Sequence, residues 1–190
     1  MGKLTSFTFI TLNGFFKGPK EDTSWHPHGG EASEYANKAS GSGNILLFGR
    51  KTYEMMANFW PTPMASELFP VVAENMNKSQ KIVCSNTLKP NSIIVKGWKN
   101  TTILKNDIIE QIAQLKKSSN KDLTILGSGS LLTQLSDVGL IDQYIIMFDP
   151  IALGKGTSIF EGLKNRLDLK LSSTQIFKKD GIVVLNYERK

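Results

Sequence analysis

Short apolar runs separated by longer mixed segments recur along the chain. Residues 5–12 are rich in β-branched and aromatic side chains and predict a first strand. Apolar runs at 44–48, 81–85, 123–126 and 141–148 predict four more strands. Continuous runs of this kind are typical of strands buried on both faces, as in the middle of a parallel sheet.

Helical patterns lie between and after these strands. They are predicted at 31–40, 51–58, 64–77, 107–117 and, after the small residues 127–130, at 131–138. For the fourth of these, Asp107 followed three residues later by Glu110 is a helix-start signature in which two side chains cap free backbone N–H groups. Lys116 and Lys117 suit the negative end of the same helix.

The C-terminal part of the chain changes to a different pattern. Residues 167–177 and 182–188 predict an antiparallel hairpin around Asp180-Gly181, a strong turn signal. Strand–helix alternation closed by antiparallel strands predicts an α/β fold with a mixed, mostly parallel central sheet flanked by helices in three layers. At 190 residues, a single domain covering 1–190 is expected.

One long connection interrupts this regular order. Residues 13–30 are rich in Gly, Pro, Asp and His and carry two aromatic residues, Phe16 and Trp25. Connections of this length in a compact domain are usually functional or disordered. Trp25 and Phe16 therefore either wall a substrate pocket or pack the connection itself. His26-Pro27-His28 lacks a third ligand at a recognised spacing, so it favours no metal site.

The net charge of the chain allows anionic partners but does not identify one. A net charge of +6 and a pI of about 9.3 favour anionic partners such as a phosphorylated cofactor or substrate. The lysines are scattered, without a basic arm and interleaved aromatics, so nucleic acid is not expected as a partner. No stretch approaches the ~18 apolar residues that a membrane helix needs.

The single cysteine, Cys84, excludes an internal disulfide and favours a reducing, cytoplasmic location. The first residues lack the pattern of a secretory signal, which agrees with that expectation. Because Cys84 falls inside a predicted buried strand, we expect it to be an inert apolar residue rather than a nucleophile.

Three of the predicted strands are followed by small or basic residues. Open α/β sheets bind ligands at the carboxyl ends of their strands, so these three turns are candidate binding sites. At the first, Gly49 permits close approach of a ligand, and Arg50, Lys51 and Thr52 open the next helix. Cations are unfavourable at a helix N-terminus unless an anion joins them, so these residues form either a solvated turn or a phosphate site.

The second strand end is richer in small residues. Gly127, Ser128, Gly129, Ser130 and Leu131 lie between a buried strand and a helix and predict a cradle for a pyrophosphate or ribose. Leu132 stands where the dinucleotide fingerprint has its third glycine, so a standard Rossmann domain does not fit.

The third strand end contains Ser85 and Asn86, which are ordinary turn residues. Beside two other turns that suit anions, they become candidates for an additional phosphate site.

An ordered series of motifs resembles the dihydrofolate-reductase-like family. The resembling branch includes the C-terminal reductase domain of the bacterial riboflavin-biosynthesis deaminase-reductase. The motifs cover essentially the whole chain: 12–15 (LNGF), 47–54 (LFGRKTYE), 125–129 (ILGSG), 140–143 (LIDQ) and 150–156 (PIALGKG). The resemblance implies the dihydrofolate-reductase-like fold and NADPH as cofactor.

The resemblance also assigns roles to residues. It implies that Gly49, Arg50, Lys51 and Thr52 hold NADPH phosphates, that Ser85 and Asn86 lie near the adenosine 2′-phosphate, and that residues 127–131 cradle the pyrophosphate. Thr11, Leu12 and the segment to Gly18 would edge the nicotinamide, with the following loop as a lid. Asn13, Trp25 and Tyr53 are the candidate substrate residues.

Two departures concern the substrate half of the site. The riboflavin branch usually has an aspartate where this chain has Asn13. True dihydrofolate reductases place a carboxylate on the first helix, where this chain offers Glu31 and Glu34 as candidate catalytic residues.

The sequence therefore predicts an NADPH-dependent reductase of a small heterocyclic substrate, pterin-like or 5-amino-6-(5-phosphoribosylamino)uracil-like. We expect this reductase to act by hydride transfer. We also expect it to form a homodimer, as relatives in the riboflavin branch do. The alternative is a catalytically silent NADPH-binding or ligand-sensing module with the same fold.

Overall fold

A computed structural model describes residues 1–27, 30–39 and 43–190. The strands are β1 (Leu4–Thr11), β2 (Phe15–Lys17), β3 (Ile45–Gly49), β4 (Lys81–Cys84), β5 (Thr101–Leu104), β6 (Leu123–Leu126), β7 (Gln143–Asp149), β8 (Thr157–Ser158), β9 (Leu169–Phe177) and β10 (Ile182–Arg189). The helices are α1 (Gly30–Ala39), α2 (Arg50–Ala57), α3 (Pro63–Leu68), α4 (Pro70–Lys78), α5 (Ile93–Gly97), α6 (Ile108–Ser118) and α7 (Gly129–Asp137), with a short 3-10 helix at Pro19–Glu21.

Eight strands form one sheet in the order β5-β4-β3-β6-β1-β7-β10-β9. The pairs from β5 through to β7 are parallel, and β10 runs antiparallel to both β7 and β9. β2 and β8 form a separate two-stranded antiparallel sheet. The predicted mixed sheet with its C-terminal antiparallel hairpin is confirmed.

The sheet separates two apolar cores because successive side chains of a strand point to opposite faces. In β3, Leu46 and Phe48 pack into one core with Tyr53 and Trp98, whereas Leu47 packs into the other. The second core contains the apolar faces of α6 and α7. Burial of both faces explains why β3, β4 and β6 read as continuous apolar runs.

The helix predicted at 64–77 is two helices, and that prediction was wrong. Phe69 separates α3 from α4, with φ −138° and ψ 62°. Pro70 is the cause, because its ring disfavours helical backbone in the preceding residue and it has no N–H to donate.

The predicted cap at Asp107 and Glu110 was also wrong. The Asp107 side chain makes no capping hydrogen bond, and its backbone has φ 29° rather than the extended form of a capping residue. Gln111 instead donates from its side chain to the carbonyls of Lys105 and Asn106, at 2.8 and 2.9 Å.

The C-terminal hairpin holds the first helix. Gly181 has φ 70° in the turn between β9 and β10, as the Asp180-Gly181 signal requires. The Asp180 carboxylate accepts a hydrogen bond from the backbone N–H of Ala32 in the first turn of α1, at 3.0 Å. No helix within the described ranges is long and apolar enough to cross a membrane.

Candidate functional site

The three predicted strand ends lie side by side at one edge of the sheet. β4 pairs with β3, and β3 pairs with β6, all in parallel. Their carboxyl ends therefore open toward the same edge, where α2 and α7 begin. This is the place where open α/β sheets bind ligands.

A hydrogen bond joins the turns after β3 and β6. The backbone N–H of Gly49 donates to Ser128 Oγ at 2.9 Å, and Ser128 Oγ donates to the carbonyl of Leu126 at 3.1 Å. Ser128 has left-handed backbone, with φ 56° and ψ 57°, immediately before α7. The two predicted glycine turns thus form one continuous structure that includes two helix N-termini.

Arg50 links these turns to the turn after β4. Its Nη1 donates to Thr87 Oγ1 at 2.8 Å, and its Nε donates to Glu54 at 2.7 Å. Ser85 is buried, and its Oγ accepts from the backbone N–H groups of Thr87 and Leu88. Arg50 is about half exposed, so its guanidinium lies at the surface of the site rather than within the protein.

An open groove of about 640 Å³ continues the site beyond Asn86. Its walls include Asn106 and Asp107 from the turn before α6, Ile108 from α6 and Gln134 from α7. Asn86 Oδ1 accepts from the backbone N–H of Asn106 at 2.8 Å. The sequence analysis did not single out Asn106, because β5, which carries the chain to it, is short and only half-buried.

Gly129, at the start of α7, lies in close contact with Phe16. A Cβ at Gly129 would lie 2.7 and 2.8 Å from two ring carbons of Phe16. The long connection after β1 therefore packs directly on the first turn of α7. Phe16 therefore lies beside the candidate cofactor site, and a larger residue at 129 would require its ring to shift.

A second contact ties the same connection to α2. The Glu21 carboxylate accepts from Lys17 at 2.6 Å and from Lys51 at 3.2 Å. The hydrogen bond from Lys17 is the main reason that the pKa of Glu21 lies below its ordinary value. The Lys51 side chain is largely exposed, so its cation is accessible beside the turn after β3.

The end of β1 fixes the segment predicted to edge the nicotinamide. Thr11 is fully buried, and its Oγ1 donates to Asn13 Oδ1 at 2.8 Å and accepts from the backbone N–H of Phe15. Asn13 Nδ2 donates to the carbonyl of Leu153 at 2.7 Å. Asn13 therefore holds the chain after β7 in place. Leu12 is exposed, and Gly18 is buried.

A buried histidine–aspartate pair was missed by the sequence analysis. His26 Nδ1 lies 3.1 and 3.0 Å from the two carboxylate oxygens of Asp149. The imidazole stacks on Phe9 at 3.8 Å, and the Trp25 ring contacts both rings edge-on. The available signal for this pair was Asp149, a carboxylate directly after the long apolar run 141–148. Its partner, 123 residues away, was not readable.

The other predicted substrate and catalytic residues lie apart from these contacts. Tyr53 is fully buried, stacks with Trp98 at 5.4 Å and donates to Thr101 Oγ1 at 3.2 Å. Glu31 and Glu34 are exposed on α1, and Glu31 pairs with Lys179 at 3.4 Å. Roles for these three residues stay predictions.

Burial raises the pKa of the Cys84 thiol to about 12, as expected for an unreactive residue at the end of a sheet strand. Within 1–27, 30–39 and 43–190, no three metal-binding side chains are grouped closely enough to hold an ion. His28, considered above with His26, lies outside the described residues.

Comparison with known proteins agrees with this geometry. The chain is 29% identical over 182 residues to the uncharacterised protein YyaP of Bacillus subtilis (strain 168), covering 94% of this chain and 90% of that one. A candidate riboflavin biosynthesis protein from Shewanella sp. PV-4 has a structure similar to this one, with a TM-score of 0.75, 20% identity and 99% of each chain covered.

A dihydrofolate reductase of Enterococcus faecalis, complexed with NADP(H) and RAB-propyl, is also similar in structure. Its TM-score is 0.64 at 16% identity, with 100% of this chain and 97% of that chain covered. These structural likenesses show the fold and confirm the dihydrofolate-reductase-like architecture. Residues 2–183 match the family described as the RibD C-terminal domain. The chain therefore belongs to the RibD C-terminal domain family.

Proposed function

We propose that this protein is an NADPH-dependent reductase of a small heterocyclic substrate, pterin-like or 5-amino-6-(5-phosphoribosylamino)uracil-like. One observation carries the proposal. The Gly49–Ser128 hydrogen bond joins two helix N-termini into a single turn structure at the strand ends. Free backbone N–H groups and the positive ends of two helix dipoles suit a diphosphate. Family membership supports a reductase rather than another nucleotide-binding protein.

The proposed phosphate contacts follow from positions in this structure. The first turn of α7, with Ser128, Gly129, Ser130 and Leu131, would hold the diphosphate together with Gly49 and Thr52. Arg50 reaches across to Thr87 beside Ser85, and this position supports the proposal that its planar fork binds a 2′-phosphate near Asn86. The adenosine would then lie in the groove lined by Asn106 and Gln134.

The nicotinamide end would lie against the segment from Thr11 to Gly18. A bound NADPH supplies the hydride, while the protein orients it and excludes water. The connection after β1 covers this edge through Phe16 on Gly129 and Glu21 on Lys51. Closing such a cover fixes the short donor–acceptor distance that hydride transfer needs. Trp25 and Asn13 are the proposed substrate contacts, and we propose a cytoplasmic homodimer.

Titration with NADPH and NADH, followed by quenching of tryptophan fluorescence at low and moderate salt, tests the cofactor proposal. We expect saturable binding that prefers NADPH. Equal binding of the two nucleotides would remove the 2′-phosphate assignment, and binding of neither would refute the cofactor site. Oxidation of bound NADPH across a panel of dihydrofolate, related pterins and the riboflavin intermediate then tests catalysis.

A second candidate is a catalytically silent NADPH-binding or ligand-sensing module. The exposure of Glu31 and Glu34, with Glu31 paired to Lys179, favours it because neither carboxylate is placed as a buried proton donor. Turnover separates the two candidates. Tight NADPH binding without oxidation of any substrate in the panel would support the silent module.

A further inference from the structure

We propose that one face of the C-terminal hairpin is the surface on which two copies of this chain pair. The inference rests on the homodimer included in the proposed function and deepens it by naming the interface. It is independent of the NADPH assignment.

The register of β9 and β10 defines this surface, which we call the hairpin face. Directly opposed residues of an antiparallel pair point to the same side of the sheet. Three opposed pairs make up the hairpin face: Ile176 with Val183, Thr174 with Leu185, and Leu171 with Tyr187. None of these side chains is charged, and all except Thr174 are aliphatic or aromatic. The hairpin face is therefore an apolar strip that runs along both strands.

The hairpin face is open in a single chain. Ile176 is 62% exposed and Leu171 is 47% exposed. Val183 and Leu185 are half-buried and, within the described residues, belong to neither apolar core. By contrast, Phe177, on the other side of β9, is buried and lies in an apolar core. Neighbouring apolar side chains that are left open together mark a site of association with another molecule.

The outer edge of β9 is a less suitable contact than the hairpin face. β9 is the last strand of the eight-stranded sheet, so no further strand of that sheet covers its outer edge. However, the register of β9 shifts at Ser172, opposite the step from Asn186 to Tyr187, and Lys170 adds a charge to the strand. Bulges and lysines are features by which edge strands avoid pairing with another strand. We therefore place the contact on the face of the hairpin and not along its edge.

Charge favours a second copy of this chain as the occupant. The net charge of +6 makes two copies repel each other, so their association is favoured where the contact itself carries no cations. The hairpin face meets this condition, because its six side chains are uncharged. An anionic partner such as nucleic acid would instead need cations on this surface.

The spacing of residues along the hairpin face suits a two-fold contact. Thr174 and Leu185 lie at its centre, and Leu171 and Ile176 lie on either side of Thr174. A two-fold axis that passes between two such faces, perpendicular to the strands and through their centres, places Leu171 of each copy against Ile176 of the other. The same patch is then used by both copies, as a two-fold interface requires.

The size of the hairpin face suits the apolar centre of a dimer interface. Phe148 on β7 is half-buried and lies beside Val183, so it widens the strip to a third strand. Strands of eight residues are about 27 Å long, and three strands are about 14 Å wide, which gives roughly 380 Å². A standard interface buries about 800 Å² on each partner, with a polar rim around its apolar centre. Two copies packed in this way would form an apolar layer between two sheets.

Light scattering after size-exclusion chromatography tests the proposal. We expect the native protein to have twice the mass of the 21.1 kDa chain. Ile176→Lys should raise the dimer dissociation constant by about 100-fold or more, because each copy would bury an unpaired cation. Ile93→Lys is the matched control, since it makes the same change at a side chain that is 91% exposed on α5, and it should leave the mass unchanged. Circular dichroism checks that both variants are folded.

Cross-linking tests the position of the two-fold axis. Thr174→Cys places a thiol at the centre of the hairpin face, whereas burial raises the pKa of the Cys84 thiol to about 12 and keeps it unreactive. A short reagent with two maleimide groups should therefore join two Thr174→Cys chains. Asn120→Cys, at an exposed position before β6, is the control and should give little cross-linking.

The interface, the homodimer and the cofactor site are refuted by different results. A native protein that is monomeric at every concentration would refute the homodimer and leave the hairpin face to a different partner. If the native protein is a dimer and Ile176→Lys leaves it intact, or Thr174→Cys does not cross-link, only the hairpin face is overturned. NADPH binding is tested separately by the fluorescence titration.

Discussion

Ser128 Oγ accepts a hydrogen bond from the backbone N–H of Gly49 at 2.9 Å, so one side chain holds together two turns that are 79 residues apart. The same oxygen donates to the carbonyl of Leu126. Ser128 is 6% exposed, and its hydroxyl therefore satisfies two backbone groups that water cannot easily reach.

Replacing Ser128 with alanine should both destabilise the protein and weaken cofactor binding. The Gly49 N–H loses its acceptor, and we expect the free energy of unfolding to fall by roughly 1–3 kcal/mol in urea unfolding, the usual cost of an unsatisfied buried group. Ser128→Gly is the matched control, because it loses the same hydroxyl but relieves the left-handed backbone. A Ser128→Ala protein as stable as the native one would contradict the importance of this bond.

Replacing Gly129 with alanine should displace Phe16. The added Cβ would lie 2.7 Å from the outer end of the Phe16 ring, which can shift, so we expect a loss of about 1 kcal/mol of stability, at the low end for overpacked sites. The double variant Gly129→Ala/Phe16→Ala should recover part of this loss, because the clash is removed. Thermal unfolding of the four proteins in a double-mutant cycle measures the coupling. Additive effects would show that the two residues do not touch in solution.

Replacing Arg50 with alanine should reduce the preference for NADPH over NADH. The loss of a charge-assisted hydrogen bond to the 2′-phosphate predicts an affinity for NADPH lower by about 1.5–3 kcal/mol and little change for NADH. Lys89→Ala removes an exposed cation that follows β4, and it should lower the affinity for both nucleotides slightly and equally. If Arg50→Ala leaves NADPH affinity unchanged in fluorescence titration, the phosphate assignment is wrong.

Lys81 should make stability rise with pH in the alkaline range. It is 0% exposed, and its Nζ donates to the carbonyls of Met76, Asn77 and Ser79 at the end of α4. Burial lowers its pKa from 10.5 to about 8. Between these two pH values the unfolded chain holds a proton that the folded protein has lost, so raising the pH favours the folded state.

The rise between pH 8 and 10.5 should reach at most about 3 kcal/mol, because the three carbonyls favour the ammonium form and oppose the shift. Lys81→Met removes the titrating group at similar length. The difference in urea unfolding between native and Lys81→Met protein isolates Lys81 from other groups that titrate there. A difference that is constant with pH would show that Lys81 keeps an ordinary pKa.

The parts of the fold that were predictable are those set by local pattern. β3 and β6 are uninterrupted apolar runs that end in glycine turns, so their ends and the helices after them were readable. The sequence analysis did not predict β5 or α5. For β5 the reason is that this edge strand, Thr101–Leu104, is only half-buried and shows no clear apolar period. Pro70 indicates a helix break, but the apolar pattern continues across Phe69 and therefore favoured a single helix.

The candidate site divides in the same way. Gly49, Arg50 and Ser128 follow strands whose direction was predicted, so their convergence could be expected. The pairing of His26 with Asp149, and of Phe16 with Gly129, depends on how the connection after β1 packs, which no local pattern encodes. The substrate role of Tyr53 stays a prediction. Tyr53 follows a predicted turn, yet helical geometry directs its ring into the core.

The place of β1 between β6 and β7 has a consequence for biosynthesis. β1 leaves the ribosome before both of its neighbours in the sheet, because Leu4 pairs with Leu123 and Thr5 with Gln143. Until those residues are made, a strand containing Phe7 and Phe9 has neither neighbour in the sheet. The nascent chain must therefore carry this aromatic segment unpaired until β6 and β7 follow, and in that interval it is a natural target for chaperones and a hazard for aggregation.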